Sequence, residues 1–231
     1  WCSALYQGGI AMARRSKNKS RNPYIIIFWE GESEEQYFKF LKDRFHEVAN
    51  LNVHNKKGLF GAADKAFSLK GVYSDDVLDV DEIWLVFDTD GEMRAKWKEN
   101  WDIVKKLRKK CKNATVKLFM TKGCIEYYFL LHYEKTQPLI VTVQDKENLL
   151  KRLSTKDYCP GYKKGDKETI WKIAERYTMA IENGEWCLKR IADELKGVST
   201  EDAITEKFYF TDSTFTNTHR AVQYLCDLKW Q

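Results

Sequence analysis

The 231-residue chain is 43% hydrophobic and 14% aromatic, ample to build an interior and too apolar for a chain disordered along its length. No apolar run approaches the roughly 20 residues that cross a bilayer, and the N-terminus lacks the basic, apolar and small-residue succession of a secretory signal, so a cytoplasmic protein is expected. The net charge is +5, and Arg14, Arg15, Lys17, Lys19 and Arg21 lie in one acid-free stretch; the remainder balances to zero, so contact with nucleic acid must come from that arm or from local patches.

In chain order, residues 1–11 precede Met12 and read as leader sequence, and residues 12–23 as a basic flexible arm. Tyr24 to Trp29 (YIIIFW) is continuously apolar, the pattern of a strand covered on both faces in a parallel sheet. It stops on Glu30. Ser33 to Gln36 has the form of a capping box, and Tyr37, Phe38, Leu41, Phe45 and Val48 recur at helical spacing behind it. Leu51 to Asn55 is a second short strand, Gly61 to Leu69 a helix, and Glu82 to Phe87 (EIWLVF) another buried strand that runs into Asp88-Thr89-Asp90-Gly91. One long amphipathic helix is expected from Met93 to Cys111, then a strand at Val116 to Met120. Ile125 to Tyr133 fits a buried helix or strand equally well. Strands alternating with helices predict an α/β fold with a mostly parallel central sheet flanked by helices over residues 24–137. From Pro138 to residue 231 the texture turns helical, with patterns at Lys146–Leu153, Glu168–Asn183, Trp186–Leu195 and Thr218–Leu228, read as an extension packed on the core. The six cysteines form neither a CxxC pair nor a Cys/His cluster, which argues against a zinc site and a disulfide framework.

Two buried strands thus end on acids. In open parallel sheets the functional crevice lies at the carboxyl ends of the strands. If the two are neighbours, Glu30, Asp88 and Asp90 converge, and a cluster of like charges destabilises the fold unless a cation neutralises it. Oxygen ligands of this kind suit Mg²⁺ or Mn²⁺. Against this stand plainer roles: Glu34 and Glu35 fall in a first helical turn that favours acids, Glu32 suits solvent, and DTDG could be an ordinary turn.

The motif Glu30-Gly31-Glu32-Ser33-Glu34, followed by Asp88-Thr89-Asp90, resembles the Toprim domain, the metal-dependent module of topoisomerases, bacterial primases and OLD-type nucleases. CIEYYFLLHYE (Cys124 to Glu134), YKKGDKETIW (Tyr162 to Trp171) and TFTNTHRAVQYL (Thr214 to Leu225) resemble the RloB-like family of bacterial defence proteins, also seen in abortive-infection loci. The resemblance spans most of residues 12–228. It implies a Toprim-like fold, a metal-dependent nuclease acting on DNA or RNA, and a site in which Glu30, Glu34, Asp88 and Asp90 are catalytic and Glu30, Asp88, Asp90 and Glu126 hold Mg²⁺ or Mn²⁺. Lys122, Lys163 and Lys164 are the candidates for contact with nucleic acid. An ATPase partner from the same locus is implied, and an oligomer is compatible with it; no membrane association is expected.

Other readings remain at this point. Glu126 could be a buried glutamate paired with Lys or Arg, and His132 a hydrogen-bonded core residue. Tyr162 and Trp171 suit either base stacking or core packing. WLVFDTDG also resembles the first motif of haloacid-dehalogenase-type phosphatases, although Glu92 follows where that motif continues Gly-Thr. A non-catalytic nucleic-acid-binding or sensor subunit would use the same carboxylates to hold a structural cation.

Overall fold

The computed structural model describes residues 21–230. Residues 1–20, which hold the segment read as leader and most of the basic arm, lie outside the described residues; Arg21, within them, meets Asp79 and Asp81 at the surface.

The elements run β1 (Tyr24–Trp29), α1 (Glu32–Arg44), β2 (Asn50–Val53), α2 (Phe60–Ala66), β3 (Glu82–Thr89), α3 (Gly91–Ala95), α4 (Trp97–Lys110), β4 (Thr115–Lys122), α5 (Ile125–Leu130), α6 (Val143–Leu153), α7 (Lys167–Ala174), α8 (Tyr177–Arg190), α9 (Glu201–Phe210) and α10 (His219–Lys229). The four strands form one all-parallel sheet in the order β2-β1-β3-β4. The two continuously apolar strands are the central pair, because only a strand covered above and below gains from side chains that are apolar on both faces. Strand alternation sorts these into two cores. Ile25, Ile27, Trp29, Trp84 and Val86 pack beneath α1, α5, α7, α8 and α10; Ile26, Phe28, Ile83, Leu85 and Phe87 pack beneath α2, α4 and α9. The expected parallel sheet flanked by helices is therefore present.

Several local expectations are corrected. Helix α1 begins two residues early: Gly31 is its N-cap, and Ser33 lies inside the first turn with its hydroxyl turned to the 162–165 loop. The single helix from Met93 to Cys111 is two, divided at Lys96, whose backbone leaves the helical region at φ −95 and ψ 8 and bonds back to Met93. The expected gap between Asn183 and Trp186, at Gly184, does not occur. Helix α8 runs through it because the missing side chain makes room for His219 of α10: a Cβ there would lie 2.3 Å from His219 Nδ1. The break falls instead at Glu175–Arg176, where Arg176 turns to bond the His132 carbonyl. Helix α9 was not expected at all. Ile125 to Leu130 is a helix, with all six residues buried. His132, just beyond it, is fully buried and placed between the Tyr37 hydroxyl at 3.1 Å and the Tyr128 carbonyl at 3.0 Å. Cys111, Cys124, Cys159, Cys187 and Cys226 are free thiols.

The outer edge of β4 is closed by the TFTNTHR segment. Asn217 acts as a short stretch of strand made from one side chain: its Oδ1 accepts the Met120 N–H at 2.6 Å and its Nδ2 donates to the Leu118 carbonyl at 3.1 Å. Backbone bonds from Lys122 to Phe215 and from Asn217 to Met120 flank it. Asn217→Ala leaves two buried backbone groups without partners and is expected to cost roughly 2–4 kcal/mol. Urea denaturation checks this, and a loss below about 0.5 kcal/mol would show that the contact is replaceable. Among the described residues no helix is long and apolar enough to cross a membrane.

Candidate functional site

Strands β1 and β3 are adjacent and parallel, so both release their acids at the same edge of the sheet. Glu30 follows β1 and its Oε2 accepts the Asp88 N–H at 3.2 Å. Residues 84, 86 and 88 share one strand face, the face covered by α1 and α5. Those two helices add Glu34 from the first turn of α1 and Glu126 from the first turn of α5. Glu30, Glu34, Asp88 and Glu126 line one open cavity of 340 Å³, together with Lys57 and Lys164.

Glu34 is buried, and its carboxylate folds back over the start of its own helix, where the amide dipoles favour a negative charge. Gly31 is required beneath it, since a Cβ at that position would stand 2.6 Å from Glu34 Oε2. Glu126 is held by two groups from the YKKGDKETIW segment: Tyr162 donates to its Oε1 at 3.0 Å and Lys164 Nζ lies 3.4 Å away. The Ser33 hydroxyl accepts the Gly165 N–H at 3.1 Å and so ties this loop to α1. Two carboxylate oxygens, Asp88 Oδ1 and Glu126 Oε2, are buried without any hydrogen-bond partner.

Burial and mutual repulsion act on the acids together. Burial, then the charges of Glu126 and Glu30, push the Glu34 carboxyl up to about 7. Asp88 is raised well above the usual carboxylate range by burial and by Glu34, Glu126 and Glu30. Glu30 is raised mainly by burial. Such a group of acids is electrostatically incomplete near neutral pH: it must hold protons or gather positive charge.

The remaining candidates are placed as follows. Asp90 does not line this cavity. The strand ends at Thr89, and Asp90 is exposed as the N-cap of α3, accepting the Met93 N–H at 2.9 Å and facing a neighbouring cleft. Lys122 ends β4 and lines that same cleft. Lys164 belongs to the acid cavity, and Lys163 is exposed beside it. Glu32 is exposed, and Glu35 pairs with Lys39 at 2.8 Å. Tyr162 is buried; it orients Glu126, a role that sequence reasoning did not assign. Lys57 and Lys146 were also missed, for neither stands in a motif.

The donor set suits a hard divalent cation. All four donors are carboxylates, the ligand type that Mg²⁺ and Mn²⁺ take, and two of their oxygens have no donor from the protein. Among the described residues no three His, Cys, Asp or Glu side chains stand in a ready coordinating arrangement. Glu30 is turned to the Asp88 amide and Glu126 to Tyr162 and Lys164.

The family model described as RloB-like protein matches residues 25–225. No curated protein and no solved structure matches the chain. The matched span runs from the second residue of β1 into α10 and includes all four acids of the cavity.

Proposed function

The chain belongs to the RloB-like family, and from that membership and the acid cavity we propose that it is a metal-dependent nuclease with a Toprim-type core, acting as an effector of bacterial anti-phage defence. The observation that carries the reading is the delivery of Glu30 and Asp88 from adjacent parallel strands into one cavity that also receives Glu34 and Glu126. Glu30, Asp88 and Glu126 would hold Mg²⁺ or Mn²⁺ after small rotations of their side chains, with Glu34 in place to take up the proton released by an attacking water. A divalent cation bound there supplies charge neutralisation at the phosphate and a more acidic water. Tyr162 keeps Glu126 aimed into the cavity, and Ser33 keeps the loop that carries Tyr162 against α1. Lys57 and Lys164, on the cavity wall, offset the negative charge of an entering phosphodiester. Asp90, engaged as a helix cap, is outside this set in the present conformation. The haloacid-dehalogenase-type alternative fits less well, because Glu92 follows Gly91 where that motif continues Gly-Thr.

The expected result is cleavage of single- or double-stranded DNA or of RNA by the purified chain in Mg²⁺ or Mn²⁺ and none in EDTA, followed on gels, with calorimetry recording metal binding in parallel. Metal binding without cleavage of any of the three would favour the sensor-subunit reading, in which an ATPase from the same locus works with this chain. Neither binding nor cleavage would refute both.

A further inference from the structure

On the other side of the β3 terminus from the acid cavity lies a second cleft, of 370 Å³. Strand alternation separates the two. Asp88 and its register partner Thr121 belong to one face, whereas Thr89 and its register partner Lys122 belong to the other. The second cleft is lined by Thr89, Lys122, Lys146, Arg94, Leu139 and Val141, among others. Its charge is arranged unlike that of a solvated lysine patch. Lys122 is only 9% exposed. Among the described residues, neither its ammonium nor that of Lys146 has an ion-pair or side-chain hydrogen-bond partner. The two acids present are already engaged: Asp212 holds Arg94 at 2.8 Å, and Asp90 caps α3. Carbonyls of Phe210 and Thr211 fix the Arg94 guanidinium further. Thr89 is wholly buried, and its hydroxyl lacks a partner. Burial and the neighbouring Arg94 lower the Lys122 ammonium from its ordinary range, and Asp212 and Asp90 offset this only in part. The rim is apolar: Leu139 and Val141 are 69% and 70% exposed.

We infer that this cleft binds a backbone phosphate of a nucleic-acid strand, held by Lys122 and Lys146, with the adjoining sugar or base resting on Leu139 and Val141. The nature of the polyanion rests on the nuclease reading. The cleft adds to Lys57 and Lys164 of the acid cavity a second cationic hold, which keeps the strand beside carboxylates that repel it. Arg94, tied down by Asp212, shapes the wall and leaves the two lysines as the donors for the phosphate.

The test is fluorescence anisotropy of labelled single-stranded DNA and RNA oligonucleotides with the full chain in EDTA, where no hydrolysis interferes. Lys146→Gln and Lys122→Gln are each expected to weaken binding about tenfold and to reduce the slope of log affinity against log salt by about 0.7. A double change of Lys106→Gln and Lys109→Gln on the outer face of α4 removes as much charge and is expected to alter neither quantity. Lys146 is partly exposed, so its variant remains informative if the Lys122 variant fails to fold. Parent-like binding by Lys146→Gln, no binding by the parent chain, or displacement of the strand by equal concentrations of inorganic phosphate or a mononucleotide overturns the inference. A chain that binds through these lysines but never cleaves sinks the nuclease reading alone; one that cleaves with both lysine variants unimpaired sinks the cleft alone.

Discussion

Asp88→Asn is expected to reduce Mg²⁺-dependent cleavage by about a thousandfold or more while raising the melting temperature of the metal-free protein. The two effects have one cause. Asp88 is surrounded by Glu34, Glu126 and Glu30, which hold its carboxyl well above the normal range, and one of its oxygens is buried without a donor. Asparagine keeps the shape, removes the charge and brings an N–H₂ that can donate to those neighbours. Glu34→Gln should behave the same way, since Glu34 is buried and is repelled, like Asp88, by Glu126 and Glu30. A carboxylate with a purely structural role gives the opposite stability result, because its loss breaks a favourable contact. Cleavage assays and thermal melts in EDTA on the same preparations read both quantities. Parent-level cleavage in either variant removes that residue from the site.

The second large effect is on the dependence of stability on pH and metal. Glu34, with its folded value near 7 against an ordinary 4.5, and Asp88, also held well above its ordinary range, bind protons more tightly folded than unfolded. Their contribution is fully present below the unfolded value and is lost as pH rises through the folded one. Two buried histidines act in the other direction: burial pushes His132 down to about 3 and His219 down to about 4, so each destabilises the fold as pH drops below 6.5. In EDTA the stability should therefore fall as pH rises through about 7, where the Glu34 carboxyl gives up its proton, a decline that thermal melts between pH 6 and 8 read. Saturating Mg²⁺ should remove the alkaline decline, and Glu34→Gln should flatten it. A profile in EDTA that is level between pH 6.5 and 8 would show that the acids are not coupled in solution.

Much of this arrangement was legible because it depends on strand ends. An unbroken apolar run that stops on an acid can be seen in YIIIFWE and in EIWLVFD, and two such runs in a parallel sheet must open onto the same edge. What could not be read was which side of the edge each acid takes. Asp88 and Asp90 have the same parity and would share a face in a continuing strand, but the chain leaves the sheet after Thr89 and turns Asp90 into a helix cap. Glu34 was open to a reading as cap chemistry, since Ser33 offered a plausible N-cap; the start at Gly31 moves it to the third helical position and into the cavity. The patterns at Glu168–Asn183 and Trp186–Leu195 leave a gap that α8 crosses, because the reason for a glycine at position 184, the His219 ring, lies 35 residues later in the chain. Lys57 sits in a segment with no periodicity to exploit, the helical pattern that begins at Lys146 does not say what its polar side faces, and only folding brings the two lysines to the two clefts.

The latch at Asn217 sets an order of events during synthesis. Its partners, Met120 and Leu118, leave the ribosome almost a hundred residues earlier, so the growing chain presents an outermost strand with bare amides until the last quarter is made. At ordinary translation rates that interval lasts on the order of 5–20 s. A chain interrupted before Thr214 keeps that vulnerability permanently, and strand-to-strand association between such fragments is the form its misfolding should take.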